Sequence, residues 1–232
     1  MTRVLLLRDR AAGEETAAEL AALGHEPLLL PLQEIVPLDE PMPAGPFAGV
    51  VVTSRNAVPV LARHLGKAGV PALAVGETTA RHLEEAGFTV AERGEGSGAS
   101  LLRPAARLGE EQKLPLLLAL GRVRTSVLED GLRAAGVSFT LWEAYDTRAL
   151  SPSRGEVEAA LNGRPPEVVL ILSVGQAEGF AALVAAHPDL FDPIPRIFCL
   201  SGRIVEALPK ELAPFASISP SGNVSKLFTG LA

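Results

Sequence analysis

Six short stretches of this 232-residue chain combine residue types suited to holding negative charge. They are Arg8-Asp9-Arg10, Thr53-Ser54-Arg55-Asn56, Gly76-Glu77-Thr78-Thr79, Gly121-Arg122-Val123-Arg124, Ser173-Val174-Gly175 and Ser201-Gly202-Arg203. Each follows an apolar run and precedes a helical pattern, and open parallel sheets bind ligands where strands end and helix N-termini point. Small and hydroxyl residues there leave backbone N–H groups accessible. Four of the six stretches contain Arg, whose planar fork of donors matches carboxylate or phosphate. A cation at a helix N-terminus is opposed by the helix dipole by ~0.3–1 kcal/mol. Arg55, Arg122 and Arg203 therefore sit where an acidic residue would serve the fold better. A bound anion reverses that penalty, because N–H groups, dipole and guanidinium then act together. At any single position the plainer alternative is a solvated Arg beside an ordinary N-cap. Recurrence across the set favours a ligand with several negative groups, expected between two lobes. Thr53, Ser54, Gly76, Thr79, Ser173, Ser201 and Gly202, with Arg8, Arg10, Arg55, Arg122 and Arg203, are the candidate binding residues.

Tyr145 is the single tyrosine of the chain. A phenol with a pKa near ~10 can protonate or orient a leaving group; the alternative role is an aromatic packed at a hinge.

Other chemistries find less support. The single cysteine, Cys199, rules out internal disulfides and lies in an apolar strand pattern as a small core residue. The four His residues are far apart and no HExxH spacing occurs, so no metal site is expected. No GxxxxGK[ST] is present, and Gly94-Glu95-Gly96-Ser97-Gly98 carries an acid unsuited to phosphate, so it reads as a flexible loop. That removes a nucleotide-dependent enzyme. The formal charge is −6, from 27 acidic and 21 basic residues, against a nucleic-acid binder. Four of the basic residues are Lys and 17 are Arg, a bias that a GC-rich genome also produces. The opening apolar run is too short for a signal peptide, and no stretch approaches the ~18 residues of a membrane span, so a cytoplasmic protein is expected.

The elements that must position these residues alternate as β-α units. Strands are expected near 4–7, 27–32, 49–53, 72–75, 88–92, 114–120, 137–142, 168–173, 196–201 and 216–219. Helices are expected over 14–23, 57–65, 78–86, 125–135, 155–161, 177–186 and 204–212. Ser153 with Glu156, and Ser173 with Gln176, are spaced as capping boxes. Gly24, Gly87 and Gly136 mark helix stops. Pro59 conflicts with a helix beginning at Ser54.

An internal echo organises the elements. Residues 4–38 lie over 116–150 without gaps at an offset of 112, and strand, helix, stop Gly and second strand fall in step. Looser echoes pair 53–57 with 172–177 and 75–83 with 200–208. The expected fold is α/β, with two similar lobes of parallel sheet flanked by helices. Segments 32–46 and 143–153 lose periodicity and read as two linkers. Lobe one is then 1–36 with 149–232, and lobe two, 38–146, is inserted through a two-stranded linker.

Taken together, Leu-Leu-Arg-Asp (6–9), Val-Thr-Ser-Arg-Asn-Ala-Val (52–58), Ala-Val-Gly-Glu-Thr-Thr-Ala (74–80), Trp-Glu-Ala-Tyr-Asp-Thr (142–147) and Leu-Ser-Val-Gly-Gln-Ala (172–177) resemble the uroporphyrinogen-III synthase family. The resemblance implies the inserted two-lobe fold. It also implies cyclisation of the linear tetrapyrrole hydroxymethylbilane to uroporphyrinogen III, with inversion of the last ring and loss of water. No metal or organic cofactor is implied. The substrate, a polycarboxylate, suits anion-receptive strand ends. By position, Arg8, Thr53, Ser54, Thr79 and Ser173 resemble the family's substrate contacts, and Tyr145 resembles the Tyr proposed to assist loss of the hydroxyl. Ser201-Gly202-Arg203-Ile204-Val205 departs from the family's frequent Gly-Pro-Thr-Thr-Ala, with Arg203 placed to hold a carboxylate instead. A monomer is expected, with transient contact to the preceding pathway enzyme. The alternative is a non-catalytic two-lobe anion-binding or regulatory protein on the same scaffold.

Overall fold

The computed structural model describes residues 1–65 and 69–219. The chain begins with β1 (Arg3–Leu6), α1 (Arg10–Ala22) and β2 (Glu26–Leu29). It continues through β3 (Gln33–Pro37), β4 (Val50–Val52), α2 (Val58–Leu65), β5 (Ala72–Ala74), α3 (Glu77–Glu85), β6 (Val90–Arg93), α4 (Leu102–Gln112), β7 (Leu116–Gly121), α5 (Val127–Ala134) and β8 (Phe139–Ala149). It closes with α6 (Arg154–Leu161), β9 (Val168–Ile171), α7 (Val174–Ala186), β10 (Arg196–Cys199), α8 (Gly202–Glu206) and β11 (Ala216–Ile218).

Two compact units result. Unit 1 is Met1–Glu34 with the chain from Arg148 on, and unit 2 is Ile35–Thr147. Unit 1 carries a parallel sheet in the order β11-β10-β9-β1-β2. The second sheet runs β3-β8-β7-β4-β5-β6, with β8 to β6 paired in parallel. Central strands are buried along their whole length, and apolar but for Arg3, because helices cover both faces. Thus β1 (Arg-Val-Leu-Leu), β7 (Leu-Leu-Leu-Ala-Leu-Gly) and β9 (Val-Val-Leu-Ile) are buried at every position. Each sheet has an apolar layer on either side; Leu5 and Val169 pack on one face of the first sheet, Leu6 and Leu170 on the other.

The sequence echoes follow the topology. Aligning β1 with β7 and β2 with β8 makes β9, β10 and β11 the counterparts of β4, β5 and β6, in the same order across the sheet. The weaker echoes at 53–57 with 172–177, and at 75–83 with 200–208, fall just after those counterpart strands. Unit 2 differs by β3, added along the edge of β8.

Capping behaves largely as expected. The Ser153 box is complete: the serine Oγ accepts from the Glu156 N–H while the Glu156 carboxylate accepts from the Ser153 N–H. Ser153→Ala is expected to cost about 1 kcal/mol, read as a lower urea midpoint. In the second case Ser173 caps α7, but Gln176 turns to the Leu172 N–H at 2.8 Å rather than to its own cap. Gly24, Gly87 and Gly136 take left-handed φ values of 83°, 89° and 70° and end their helices.

Several expectations are corrected. Segment 32–46 is not purely a connector, since β3 occupies its start as an edge strand, where Pro37 is tolerated. Segment 143–153 loses alternation without losing the strand: β8 continues to Ala149 past a register shift opposite Leu120 and Gly121. The Pro59 conflict resolves because Arg55–Ala57 forms a 3₁₀ turn and α2 starts at Val58, leaving Pro59 in its first turn. Helix α4 was not anticipated. The helix expected over 204–212 stops at Glu206, three residues before Pro209. Gly94–Gly98 is not a loose loop. Gly94 and Gly96 donate to the Ala74 and Val75 carbonyls at 2.8 and 2.7 Å, and a Cβ on Gly94 would lie 2.8 Å from the Val75 oxygen.

Candidate active site

In unit 1, β1 delivers Leu7, Arg8 and Asp9 to the start of α1. The Arg8 Nη1 donates to the Thr16 hydroxyl at 2.8 Å, and Thr16 in turn donates to the Ala12 carbonyl, so the guanidinium is oriented from inside the helix. Asp9 is the N-cap, accepting from the Ala12 N–H at 3.1 Å. A carboxylate of the chain itself therefore occupies this helix start. Arg10 faces solvent with a side chain 75% exposed and pairs loosely with Glu14 at 3.8 Å.

At the other strand ends of unit 1, Ser173 uses its Oγ to accept from the Gln176 N–H at 3.3 Å. Ser201 begins α8 with no side-chain cap bond, and it and Arg203 are exposed. Helix α8 has only five residues, so its dipole adds little there. Cys199 is buried in β10, and burial pushes its thiol up to about 11, as befits an inert core residue.

In unit 2, Gly76 begins α3 without a side-chain cap. Gly76 and Ser201 are counterparts in the two sheets, so the helix starts after β5 and β10 both lack an internal side-chain acceptor. Thr79 departs from expectation: it lies buried in α3 instead of standing open at the strand end. After β4 come half-buried Thr53, Ser54 and Arg55. Ser54 caps the 3₁₀ turn, its Oγ accepting from the Asn56 N–H at 3.2 Å.

Arg122 is the clearest departure from an open anion binder. Its guanidinium meets Glu40 at 2.7 Å, Glu143 at 2.9 Å and Asp146 at 3.8 Å. Arg124 joins the same cluster, bonded to Glu143 at 2.9 Å and to buried Glu129 at 2.7 Å. The two guanidinium groups hold the Glu143 carboxyl below its usual range, Arg122 most strongly. These arginines are partnered within their own unit. The acids come from three separate segments, so no local pattern announces them.

Tyr145 is buried, 8% exposed, among Val52, Ala57, Trp142 and Ala144. Burial raises its phenol pKa and the neighbouring Ser54 hydroxyl offsets this in part, so the ring stays protonated at neutral pH. Because the Ser54 oxygen already accepts from Asn56, its own proton can be given to the phenol oxygen, leaving the phenol proton for transfer. Beside the ring, at the end of β7, is Gly121, a residue the sequence reading placed in a strand end but gave no role. Among the described residues, no group of three His, Cys, Asp or Glu side chains could hold a metal ion. No helix among them is long and apolar enough to cross a membrane.

Parallel sheets, helices on both faces and a repeated strand order define a protein of two similar α/β units. The family model described as uroporphyrinogen-III synthase HemD matches residues 14–228, and the chain belongs to that family. The chain is 22% identical over 227 residues to the porphyrin biosynthesis protein HemD of Ruminiclostridium josui, covering 90% of this chain and 44% of that relative. It thus spans less than half the length of that curated protein. The solved uroporphyrinogen-III synthetase of Helicobacter pylori matches with a TM-score of 0.67 at 17% identity, covering 100% of this chain and 98% of the other. A mutant uroporphyrinogen III synthase of Thermus thermophilus matches with a TM-score of 0.55 at 19% identity, over 100% and 97%. At these identities the structures speak for the fold.

Proposed function

We propose that the chain is a uroporphyrinogen-III synthase, a cyclising hydro-lyase acting on hydroxymethylbilane. Family membership supplies the substrate class, and the observation that carries the reading is Tyr145, a buried phenol beside Ser54. In this reading the substrate's carboxylates are received at strand ends, by Arg8, Arg55 and Arg203 with the hydroxyls of Thr53, Ser173 and Ser201 and the amides at Gly76 and Gly202, while the Ser54 hydroxyl serves Tyr145. Arg122 is left out of this set, its guanidinium being paired with Glu40, Glu143 and Asp146.

Tyr145 donates its proton to the departing hydroxyl, which leaves as water. The ring that carried it becomes an azafulvenium cation, its pyrrole N–H retained, and Ser54 supports the phenolate left behind. The substituted carbon of the last ring then attacks, forming a spiro intermediate that opens and recloses with that ring inverted. A proton lost in aromatisation restores the phenol. Closure without steering gives the uninverted isomer, so holding the chain folded matters as much as speeding ionisation. The reading places the reaction in the cytoplasm, in a monomer needing neither metal nor organic cofactor, with transient contact to the enzyme that supplies its unstable substrate.

Supplying hydroxymethylbilane and separating the product isomers tests the proposal. Formation of isomer III above the spontaneous level is expected; only the uninverted isomer would leave the chain a binding protein. Arg8→Ala is expected to raise KM about 10-fold, the worth of one charge-assisted hydrogen bond, with kcat little changed. An unaltered KM would take Arg8 out of the binding set.

A further inference from the structure

The geometry points to Gly121 as the positioning residue for Tyr145: with the bulge at Ala144, it lets the phenol cross β7 and reach Ser54. This rests on the reading of Tyr145 as proton donor.

The register carries the first half of the argument. From Leu116 to Leu120, β7 pairs with β8 one residue for one, ending with Leu120 opposite Glu143. The next pair is Gly121 with Tyr145, so Ala144 is the extra residue of a bulge. In an unbroken strand, neighbouring side chains point to opposite faces. Here Trp142, Ala144 and Tyr145 all join one apolar layer. The bulge thus turns Tyr145 onto the face that alternation would deny it. It is fastened by the Arg122 N–H, which donates to the Tyr145 carbonyl at 2.8 Å.

The second half is space. The strand order places β7 between β8 and β4, so a ring starting on β8 must pass over β7 to meet Ser54 beyond β4. Gly121 is where it passes. A Cβ there would lie 2.6 Å from the Tyr145 Cζ, 2.8 Å from its Oη and 2.9 Å from Cε2. No side chain fits without moving the ring. The requirement is steric, since Gly121 is not among the residues with a left-handed φ. A glycine closing an otherwise apolar strand is here a gap kept for a neighbour's ring.

Because Tyr145 is the only tyrosine, its ionisation can be followed alone by phenolate absorbance in the near ultraviolet. In Gly121→Ala the displaced ring should titrate lower than in the parent chain, towards the ordinary value of about 10. Its kcat should fall to within about threefold of that of Tyr145→Phe, and adding Gly121→Ala to Tyr145→Phe should cost less than about twofold more. A folded Gly121→Ala with unchanged titration and kcat overturns the inference. So does an equal further loss in the Tyr145→Phe background, which would mark a purely structural role. If Gly121→Ala alone does not fold, combining it with Tyr145→Ala must recover the stability of Tyr145→Ala; no recovery also overturns it. Unchanged kcat in Tyr145→Phe would instead remove the donor role, while the titration still reports whether Gly121 places the ring.

Discussion

Tyr145→Phe is expected to lower kcat by about 10²-fold or more, the usual worth of a positioned proton donor. KM should change little, because the ring remains and only its hydroxyl is lost. Product formed by the variant should shift towards the uninverted isomer, as slow assisted ionisation loses ground to closure in solution. The pH profile adds a second check. Burial raises the phenol pKa above its ordinary value, so the donor form persists across neutral pH and is lost only in alkali. The same shift has a stability consequence: a group that binds its proton more tightly when folded helps the fold below the ordinary value of about 10 and ceases to help as pH rises through its folded value. Tyr145→Phe should therefore be less sensitive to alkaline unfolding than the parent chain. Unchanged kcat with isomer III as product would remove Tyr145 from the chemistry.

Arg3→Ala is expected to be the largest stability loss, about 3 kcal/mol, read from the urea midpoint of unit 1. Arg3 is 4% exposed at the start of β1, at the sheet end remote from the candidate ligand residues. Its guanidinium donates to the carbonyls of Leu161 and Pro165 at 2.6 and 3.0 Å and to that of Arg164, and it lies 3.1 Å from a Glu26 carboxylate oxygen. Removal takes a donor from the last carbonyl of α6 and from two carbonyls of the turn that follows it, and leaves Glu26 without its buried partner. Arg3→Lys should recover little, because an ammonium cannot reach the same carbonyls in one plane. A loss below about 1 kcal/mol in Arg3→Ala would mean that water readily replaces these bonds. With an intact site, surviving Arg3→Ala molecules should keep kcat, separating this role from that of Tyr145.

Much of the architecture was legible because central strands buried on both faces must be apolar throughout. Runs such as those at 114–120 and 168–173 announce themselves, and the echo at an offset of 112 placed matching elements in both units. What escaped lies where a local rule yields to a distant partner. The bulge at Ala144 breaks the period of two midway through β8, which reads as the end of a strand. Helix α4 hides its apolar side, Leu102, Ala105 and Leu108, among charged residues and behind Pro104.

The candidate site divides in the same way. Hydroxyls and glycines at strand ends could be found from spacing, because turn chemistry is local. Whether a guanidinium stands open could not, since Glu40, Glu143 and Asp146 reach Arg122 from elsewhere in the chain. Gly121 left only a faint trace: one glycine closing a leucine run, in a chain with one tyrosine. Its meaning depends on which strand lies next to which.

The discontinuity of unit 1 sets a timetable for synthesis. As the polypeptide leaves the ribosome, β1, α1 and β2 emerge before unit 2, yet β1 pairs on its other side with β9, from Val4 to Val168 and on to Leu6 with Leu170. Unit 2 is contiguous from Ile35 to Thr147 and can close its sheet while that edge of β1 still waits. Arg3 waits too, since its carbonyl partners at 161–165 follow the whole insertion. Long-range pairings of this kind form late and slowly. The earlier-made part of unit 1 is thus among the last to be secured, and an exposed β1 edge is the one a nascent chain must shield from its neighbours.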